Sequence, residues 1–598
     1  MPTLPNEDAA IMAMAEIPSD TSKGHMNETR SLTTTTTPPH GEEHEHISDD
    51  DLKNLRRVSG KIPWVAFTIA FVELCERFSY YGTTVVFVNF LQQPLPEGSP
   101  TGAGFDGQSG ALGMGQRAST GLTTFNQFWA YLTPLLGAYI ADAHLGRYKT
   151  IHIAILVAII GHIVLTASAA PSVIAKPNTS IGVFSVGLII FGIGTGLFKS
   201  NISPLLAEQQ VITKIKIETT AQGERVLVDP AVTTSRIFLY FYMCINIGSL
   251  VGQIAMVYAE KYVGFWLSFM LPTVMFLIAP VVLAIFKKKY RLSPPTGSVL
   301  SKFFRMWTTA MKGKWSLNFV KMKREFTWDS VRPSLIPVAQ RPAWMTYDDA
   351  WVDEVRRGLM ACKVFTFLPL YWLAYGQMTN NLNPISIVIM IPIFDFFIYP
   401  ALRKARIPFT PIKRMACGFI MASLAMVAAC VTQYYVYKLS PCGNQAATCR
   451  DADDNVLFSE INVWVQTVPY VFIGISEIFT SITGLEYAFS KAPSNMRSFV
   501  MAINLLMNAF SSALAQALVA LANDPLLVWN YGVVAVVAFV SGLAFWFSFK
   551  KMDADEDKWN MIQETAYKGR RGSVTVHDPE AHAVPGTGVR SSMEKSAL

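Results

Sequence analysis

Long apolar stretches constrain this chain most, because they recur along almost its whole length. Each covers about 20 residues or more with few charges, which is the length a helix needs to cross about 30 Å of hydrocarbon. They lack the two-residue alternation that strands of a membrane barrel require. We therefore predict an all-α membrane protein with twelve transmembrane helices, and this excludes a soluble enzyme. The stretches are 61–91, 115–141, 148–170, 181–207, 235–258, 262–286, 358–380, 384–402, 414–437, 461–490, 496–522 and 525–550.

Basic residues are concentrated in alternate connections between these stretches. Arg147 and Lys149 follow the second stretch, and Arg403 and Lys404 follow the eighth. Such residues face the cytosol, so we predict that both termini are cytosolic. The net charge of +7 then reflects membrane orientation and not nucleic-acid binding. The predicted organisation is a disordered cytosolic tail (1–60), an N-terminal six-helix bundle (61–286), a cytosolic linker (287–357), a C-terminal six-helix bundle (358–550) and a cytosolic tail (551–598).

Six helices on either side of a long linker are similar to the plan of the major facilitator superfamily. In that plan the substrate site lies between the two halves near the bilayer midplane. The connection 137–149 also resembles a loop signature of the superfamily, in which an Asp and an Arg brace helix ends at a cytosolic gate. Asp142 and Arg147 occupy those two positions. Positive-inside charge alone would explain Arg147 but not Asp142.

The first stretch carries the densest cluster of ionisable residues, each of which costs at least about 2.5–3.5 kcal/mol to insert into a bilayer. Two carboxylates beside one guanidinium supply more negative charge than a structural ion pair needs. One carboxylate can hold the arginine while the other takes up a proton. The alternative is a buried ion pair that only fixes helix packing. At about 100° per residue, the polar members lie within an arc of about 140°; they are Glu73, Glu76, Arg77, Tyr80 and Tyr81.

Two further ionisable residues lie inside apolar stretches, Lys199 in the fourth and Glu477 in the tenth. The Gly192/Gly196 spacing permits a close helix approach beside Lys199, although a lysine that snorkels to the helix end is the alternative. No basic residue lies near Glu477 in the sequence, so this carboxylate needs a proton or a cation from elsewhere. Cations in one half and an anion in the other fit a zwitterion with separated ends, such as a short peptide.

Several motifs carry a family resemblance. Residues 73–82, with the pattern Glu-x-x-Glu-Arg-Phe-x-Tyr-Tyr-Gly, resemble the first-helix signature of the proton-coupled oligopeptide transporter family. Residues 241–250 resemble its fifth-helix signature. The segment 347–357 is similar to the fungal branch of di- and tripeptide importers. Three shorter segments also match the family, at 131–137, 198–201 and 477–486.

The resemblance implies symport of di- and tripeptides with protons by alternating access, at the plasma membrane, with no cofactor besides the coupling proton and no metal. Glu73 and Glu76, with Arg77, would carry the proton coupling. Arg77 and Lys199 would receive the peptide carboxylate, and Glu477 the amino end. The other implied contacts are Tyr80, Tyr81, Tyr131 and Asn246 with the peptide backbone, Trp372 in a side-chain pocket, and Asn383 with the amino end.

Two alternatives to peptide transport stay open at this level. Nitrate or small-carboxylate transport on the same fold would predict a His in the first helix and would not need Glu477. A nutrient receptor would keep the binding residues but lose turnover. The connection before Asn383 is shorter than in relatives, and such an altered hairpin would suit the receptor.

Two of the seven cysteines, Cys442 and Cys449, lie together in a polar connection that the topology places outside the cell. An oxidising exterior favours a bridge between them. We therefore predict a Cys442–Cys449 disulfide.

Overall fold

The computed structural model describes residues 51, 55–105, 107–210, 215–295, 299–312, 327–377, 382–405, 407–446, 449, 457, 459–493, 496–518, 521 and 524–554. Most of the predicted tails therefore lie outside the described residues. Each apolar stretch coincides with one helix or with consecutive helices. These are α1 (Val65–Val85, then Phe87–Gln92), α2 (Gly115–Leu132, then Pro134–Ile140), α3 (Arg147–Ser168), α4 (Pro177–Ala207), α5 (Pro230–Tyr262), α6 (Phe265–Lys289), α7 (Asp349–Gly376), α8 (Leu382–Lys404), α9 (Pro411–Leu439), α10 (Val463–Lys491), α11 (Arg497–Ala517) and α12 (Leu527–Ala554).

Ten of these helices, α3 to α12, are long and apolar enough to span a membrane within the described part of the chain. The predicted number of twelve is therefore confirmed for ten. The segment Val65–Val85 of α1 is not apolar enough, because it carries Glu73, Glu76 and Arg77. The segment Gly115–Leu132 of α2 is not apolar enough, because it is rich in polar residues. The predicted all-α class holds for the membrane part of the chain.

The described residues include three single π-helical turns: Ala141–Leu145 directly after α2, Phe394–Ile398 within α8 and Ile478–Ile482 within α10. Such turns widen a helix locally and occur frequently at functional sites. In this chain one of them contains Asp142, another contains Asp395, and the third directly follows Glu477.

Glycine permits a close helix contact beside the site, between α1 and α5. A methyl group added at Gly248 would lie 2.4 Å from the Leu74 carbonyl oxygen, and one at Gly252 would lie 2.4 Å from that of Phe78. Both distances are far below van der Waals contact, so only glycine allows this approach. The contact holds the charged face of α1 in a defined position relative to α5.

A small sheet lies outside the helices and corrects the predicted extent of the N-terminal tail. Strand β1 (Arg56–Val58) pairs in parallel with β3 (Arg225–Val228), which pairs antiparallel with β2 (Lys216–Thr219). The prediction that 1–60 is disordered is therefore wrong for 56–58, because these residues pair with β3 in the α4–α5 connection. The Arg56 side chain donates to Glu224 at 2.7 Å and lowers the pKa of that carboxyl.

The predicted linker is also partly folded, and the C-terminal bundle begins before residue 358. Helix α7 starts at Asp349, where the Asp348 carboxylate accepts the Trp351 backbone N–H at 2.9 Å and caps the helix. A linker helix, Val299–Met311, packs its apolar side against this first part of α7. Trp351 is fully buried in that contact, so the apolar residues of an otherwise polar region form a small core of their own.

Cys442 and Cys449 form a disulfide in the α9–α10 connection. A ring this small stabilises the folded chain by at most about 2–3 kcal/mol, because it lowers the entropy of the unfolded chain only slightly. Its effect is therefore local. We expect neither thiol to react with an impermeant maleimide on intact cells until a reductant is added. Reaction of both cysteines before reduction would contradict the bridge. Cys442→Ser is the matched control, because it leaves Cys449 free.

Candidate functional site

The ionisable cluster of α1 is buried and tightly paired. The Arg77 Nε lies 2.8 Å from a Glu73 oxygen and 2.7 Å from a Glu76 oxygen. All three side chains are almost fully shielded from solvent. The other Glu73 oxygen has no hydrogen-bond partner among the described residues. One guanidinium therefore pairs with two carboxylates, and at least one carboxylate oxygen has no hydrogen-bond donor among the described residues.

Lys199 of α4 lies beside this cluster with its ammonium between aromatic rings. The Nζ is 4.1 Å from the ring centre of Tyr80 and 4.3 Å from that of Tyr131. The residue is 6% exposed, which excludes the alternative of snorkelling to the helix end. Within the described part of the chain, its Nζ has no hydrogen-bond partner. Cation–π contacts stabilise this ammonium without neutralising it.

Glycines of α4 explain how Lys199 comes so close to α2. A methyl group at Gly192 would lie 2.4 Å from Trp129, and one at Gly196 would overlap Thr133, both in α2. The close approach predicted from their spacing is therefore present. Tyr131 lies between these two partners, and the approach brings it to the Lys199 ammonium.

Glu477 of α10 accepts hydrogen bonds from both halves of the molecule. Asn383 Nδ2 donates to one of its oxygens at 3.0 Å, and the Tyr242 hydroxyl of α5 makes a short hydrogen bond to the other. Tyr242 also lies 3.0 Å from Ser481 Oγ. Glu477 is buried, with 3% of its surface exposed. Neutral donors hold this carboxylate, and no cation among the described residues pairs with it.

The remaining predicted contact residues lie near one or the other charged group. Tyr81 packs edge-on against Tyr80 with ring centres 5.2 Å apart. Asn246 lies one turn after Tyr242 and donates to the backbone oxygen of that residue at 2.9 Å. Trp372 packs edge-on against Tyr375 at 5.1 Å, and its indole N–H has no partner among the described residues. The substrate roles of these residues remain predictions.

Two tyrosines of this region were not predicted as site residues. Tyr242 bonds to Glu477, and Tyr375 lies 3.2 Å from the Asn383 amide nitrogen. Tyr242 lies inside the segment 241–250 that resembles the fifth-helix signature, but nothing in that motif specifies which carboxylate the tyrosine meets. The connection that precedes Asn383, residues 378–381, lies outside the described residues.

The predicted gate residues bring the two halves together at one end of the helices. The Arg147 side chain makes an ion pair with Asp142 at 3.1 Å and a shorter one with Glu208. It also donates to Ser498 Oγ at 2.8 Å, and Asp142 accepts the Phe499 backbone N–H at 3.2 Å. We call these five residues the first lock. They join α2, α3 and α4 to the start of α11.

The site can therefore hold opposite charges at two places. The α1–α4 side offers a guanidinium and an ammonium that has no hydrogen-bond partner among the described residues, and the α10 side offers a carboxylate held by neutral donors. A molecule with an anionic and a cationic end meets both requirements in a buried space, where charge pairs interact strongly. A simple anion would use only the first.

Comparison with known proteins places the chain among transporters. A family model described as the POT family matches residues 148–383 and 379–534. A protein named "Probable peptide transporter ptr2" from Schizosaccharomyces pombe is 41% identical, over 86% of this chain and 82% of its own. "Peptide transporter PTR2" from Saccharomyces cerevisiae is 38% identical, over 88% of this chain and 85% of its own.

The fold also has counterparts among solved structures. The crystal structure of an auto-inhibited POT family peptide transporter aligns with a TM-score of 0.55 and 21% identity, over 82% of this chain and 97% of that one. At this identity the likeness concerns the fold, and it agrees with the predicted major facilitator architecture.

Proposed function

Because this chain belongs to the POT family, we propose that it imports di- and tripeptides together with protons by alternating access. It is a transporter and not an enzyme, with both termini in the cytosol and the plasma membrane as its location. The proton is the coupling ion, and no further cofactor is needed. The relatives named peptide transporters support this substrate and do not favour nitrate, small carboxylates or a receptor role.

One observation carries the proposal: the Lys199 ammonium is buried and makes no direct hydrogen bond or ion pair with any of the described residues. A buried charge is costly unless it is paired. The carboxylate end of a peptide would supply the missing partner, with Arg77 as the second cation. Glu477 would then face the peptide ammonium. The tyrosines around both groups supply the polar aromatic walls.

Charge balance explains why peptide and proton travel together. The cluster on the α1–α4 side carries two negative and two positive charges when all four side chains are ionised, and it is therefore neutral. A peptide carboxylate adds one negative charge, and protonation of one glutamate removes one, so the two events together restore neutrality in a medium of low dielectric. The four side chains are Glu73, Glu76, Arg77 and Lys199.

Purified protein in liposomes tests this proposal. An inward proton gradient is expected to drive accumulation of a radiolabelled dipeptide above its external concentration. Glu73→Gln and Glu76→Gln should abolish most of this accumulation, because each removes a group that can take up a proton. Both variants should retain peptide counterflow, since exchange requires no net proton movement.

The outcome separates coupling from structure. Accumulation by both variants at the wild-type level would show that the carboxylates only fix helix packing. Loss of counterflow as well as accumulation would show that they are needed for binding or folding. Glu260→Gln is the matched control, because Glu260 is also buried in the N-terminal half but bonds to Asn89.

A further inference from the structure

The segment that follows α6 is fastened to the end of α4. The Arg291 backbone N–H donates to Gln209 Oε1 at 2.9 Å, and Gln209 Nε2 donates back to the Arg291 carbonyl oxygen at 3.1 Å. The Arg291 guanidinium also donates to the Gln210 carbonyl oxygen at 3.2 Å. Two residues later, the Ser293 hydroxyl donates to the Glu208 carboxylate at 3.0 Å. The fastening therefore holds Ser293 in a defined place beside Glu208.

Glu208 connects this serine to the first lock. Its Oε1 accepts from the Ser293 hydroxyl and, in a shorter hydrogen bond, from Arg147. Its Oε2 has no hydrogen-bond partner among the described residues. The Glu208 side chain is 5% exposed, so water competes poorly for it. Arg147 in turn donates to Ser498 of the other half. One shielded carboxylate thus lies between Ser293 and a contact that joins the two halves.

Ser293 itself has the exposure and the backbone of a kinase substrate. The residue is exposed and lies outside any helix or strand. Pro294 follows it, and a residue before proline is forced towards an extended conformation, which is the conformation that a kinase cleft binds. Pro295 stiffens the segment further, because its ring fixes φ. The proposed topology places this linker in the cytosol, where kinases and ATP are present.

Position distinguishes this Ser-Pro pair from the others in the chain. The sequence contains four such pairs, which begin at Ser99, Ser203, Ser293 and Ser440. The proposed topology places Ser99 and Ser440 outside the cell, away from cytosolic ATP. Ser203 is 3% exposed within α4. Ser293 is therefore the serine of this kind that a cytosolic kinase can reach.

We propose that Ser293 is a phosphorylation site for a proline-directed protein kinase, and that its phosphate weakens the first lock through Glu208. The Ser293 oxygen forms a bond to the γ-phosphorus of ATP, and the bond from that phosphorus to the β-bridging oxygen breaks. ADP leaves, and the hydroxyl proton passes to a base of the kinase. The product carries a charge of about −1.5 to −2 at pH 7.

Charge repulsion is the physical reason for the effect. Phosphorylation removes the hydroxyl donor 3.0 Å from Glu208 and puts a second anion in its place. A phosphate beside a carboxylate disrupts the local structure by like-charge repulsion. The phosphate also competes with Glu208 for Arg147 and draws it from Ser498. Loss of a hydrogen bond to a charged group shifts an equilibrium by roughly ten- to a hundredfold.

The modification is tested on the full-length protein in lipid nanodiscs. ATP and a proline-directed kinase that is active on a Ser-Pro peptide are expected to place a phosphate on Ser293, which mass spectrometry locates. Pro294→Ala should strongly reduce this modification, because it removes the residue that such a kinase selects. Pro295→Ala is the matched control and should leave the modification nearly unchanged. Absence of phosphate from Ser293 in the wild type would overturn the assignment.

The effect on the lock rests on the proposed alternating access, but it is measured without substrate. Spin labels are introduced as noncanonical amino acids at Lys149 and Lys404, exposed positions in α3 and at the end of α8. Kinase treatment is expected to raise the ratio of long to short label distances by roughly ten- to a hundredfold. Kinase-treated Ser293→Ala should show no increase, although it keeps every other phosphorylation site.

Glu208→Gln tests the route of the effect. Kinase treatment of this variant should no longer raise the ratio of long to short distances, because glutamine carries no charge for the phosphate to repel. Two results would overturn the inference: an unchanged ratio after full phosphorylation of Ser293, or an equally large increase in Glu208→Gln. Failure of dipeptide uptake alongside the expected distance changes would instead count against the proposed function and leave the Ser293 site standing.

Discussion

Arg77→Ala is expected to abolish uptake of dipeptides with a free carboxylate while the protein still reaches the membrane. The guanidinium lies within 3 Å of oxygens of both Glu73 and Glu76 (2.8 and 2.7 Å). Its removal leaves two buried carboxylates without a partner and removes a cation proposed to receive the peptide. Breaking a buried pair in this way costs about 3–5 kcal/mol, which corresponds to more than about a hundredfold loss of uptake.

The measurement is initial uptake rate normalised to surface protein, in cells and in liposomes. Arg77→Lys is the informative companion, because a lysine keeps the charge but cannot hold two carboxylates with one planar fork. We expect it to retain binding and to lose part of the coupling. Normal transport of free-carboxyl dipeptides by Arg77→Ala would remove Arg77 from the proposed site.

Glu477→Gln is expected to weaken binding of a free dipeptide by roughly 30- to 150-fold. A charge-assisted contact in a buried site contributes about 2–3 kcal/mol, and this energy converts to that range. Glutamine keeps the shape of the side chain and can still accept from Tyr242. A dipeptide with an acetylated amino end should bind the wild type poorly, and the substitution should weaken its binding little further.

Competition by both peptides in both proteins separates the proposed roles of Glu477. Nitrate or carboxylate transport predicts a neutral or favourable effect, because the substitution removes a like charge. An equal loss for the free and the acetylated peptide would mean that Glu477 supports the fold or the gate. Glu260→Gln again serves as control. It also removes a buried carboxylate, but Glu260 lies far from Glu477 in the chain and bonds to Asn89.

Features that depend on one contiguous segment were predictable. Hydropathy over about 20 residues determines whether a segment forms a membrane helix, and this held for ten helices. The charged residues of the site were also detectable, because an ionisable group inside an apolar stretch is conspicuous whatever it contacts. The GxxxG-type spacing beside Lys199 predicted a close approach, although the sequence did not specify α2 as the neighbour.

Predictions failed where a short polar segment acquires its structure from distant residues. Strand β1 has no apolar pattern of its own, and its backbone partners lie about 170 positions later in the chain. The ion pair between Arg236 and Asp395 was missed for a related reason. Asp142 and Arg147 are five positions apart and form a recognisable motif, whereas Arg236 and Asp395 are 159 positions apart and form none.

The sequence by itself determined which segments enter the membrane, the family, and the identity of the charged residues buried there, because these follow from local composition and from motifs. Only the tertiary structure decided which groups meet: Lys199 between two tyrosine rings, Tyr242 on Glu477, and Arg236 on Asp395. Such pairs join helices that lie far apart in the chain. Their contacts depend on how whole helices pack, and the energy that selects a partner arises only once both groups are buried together.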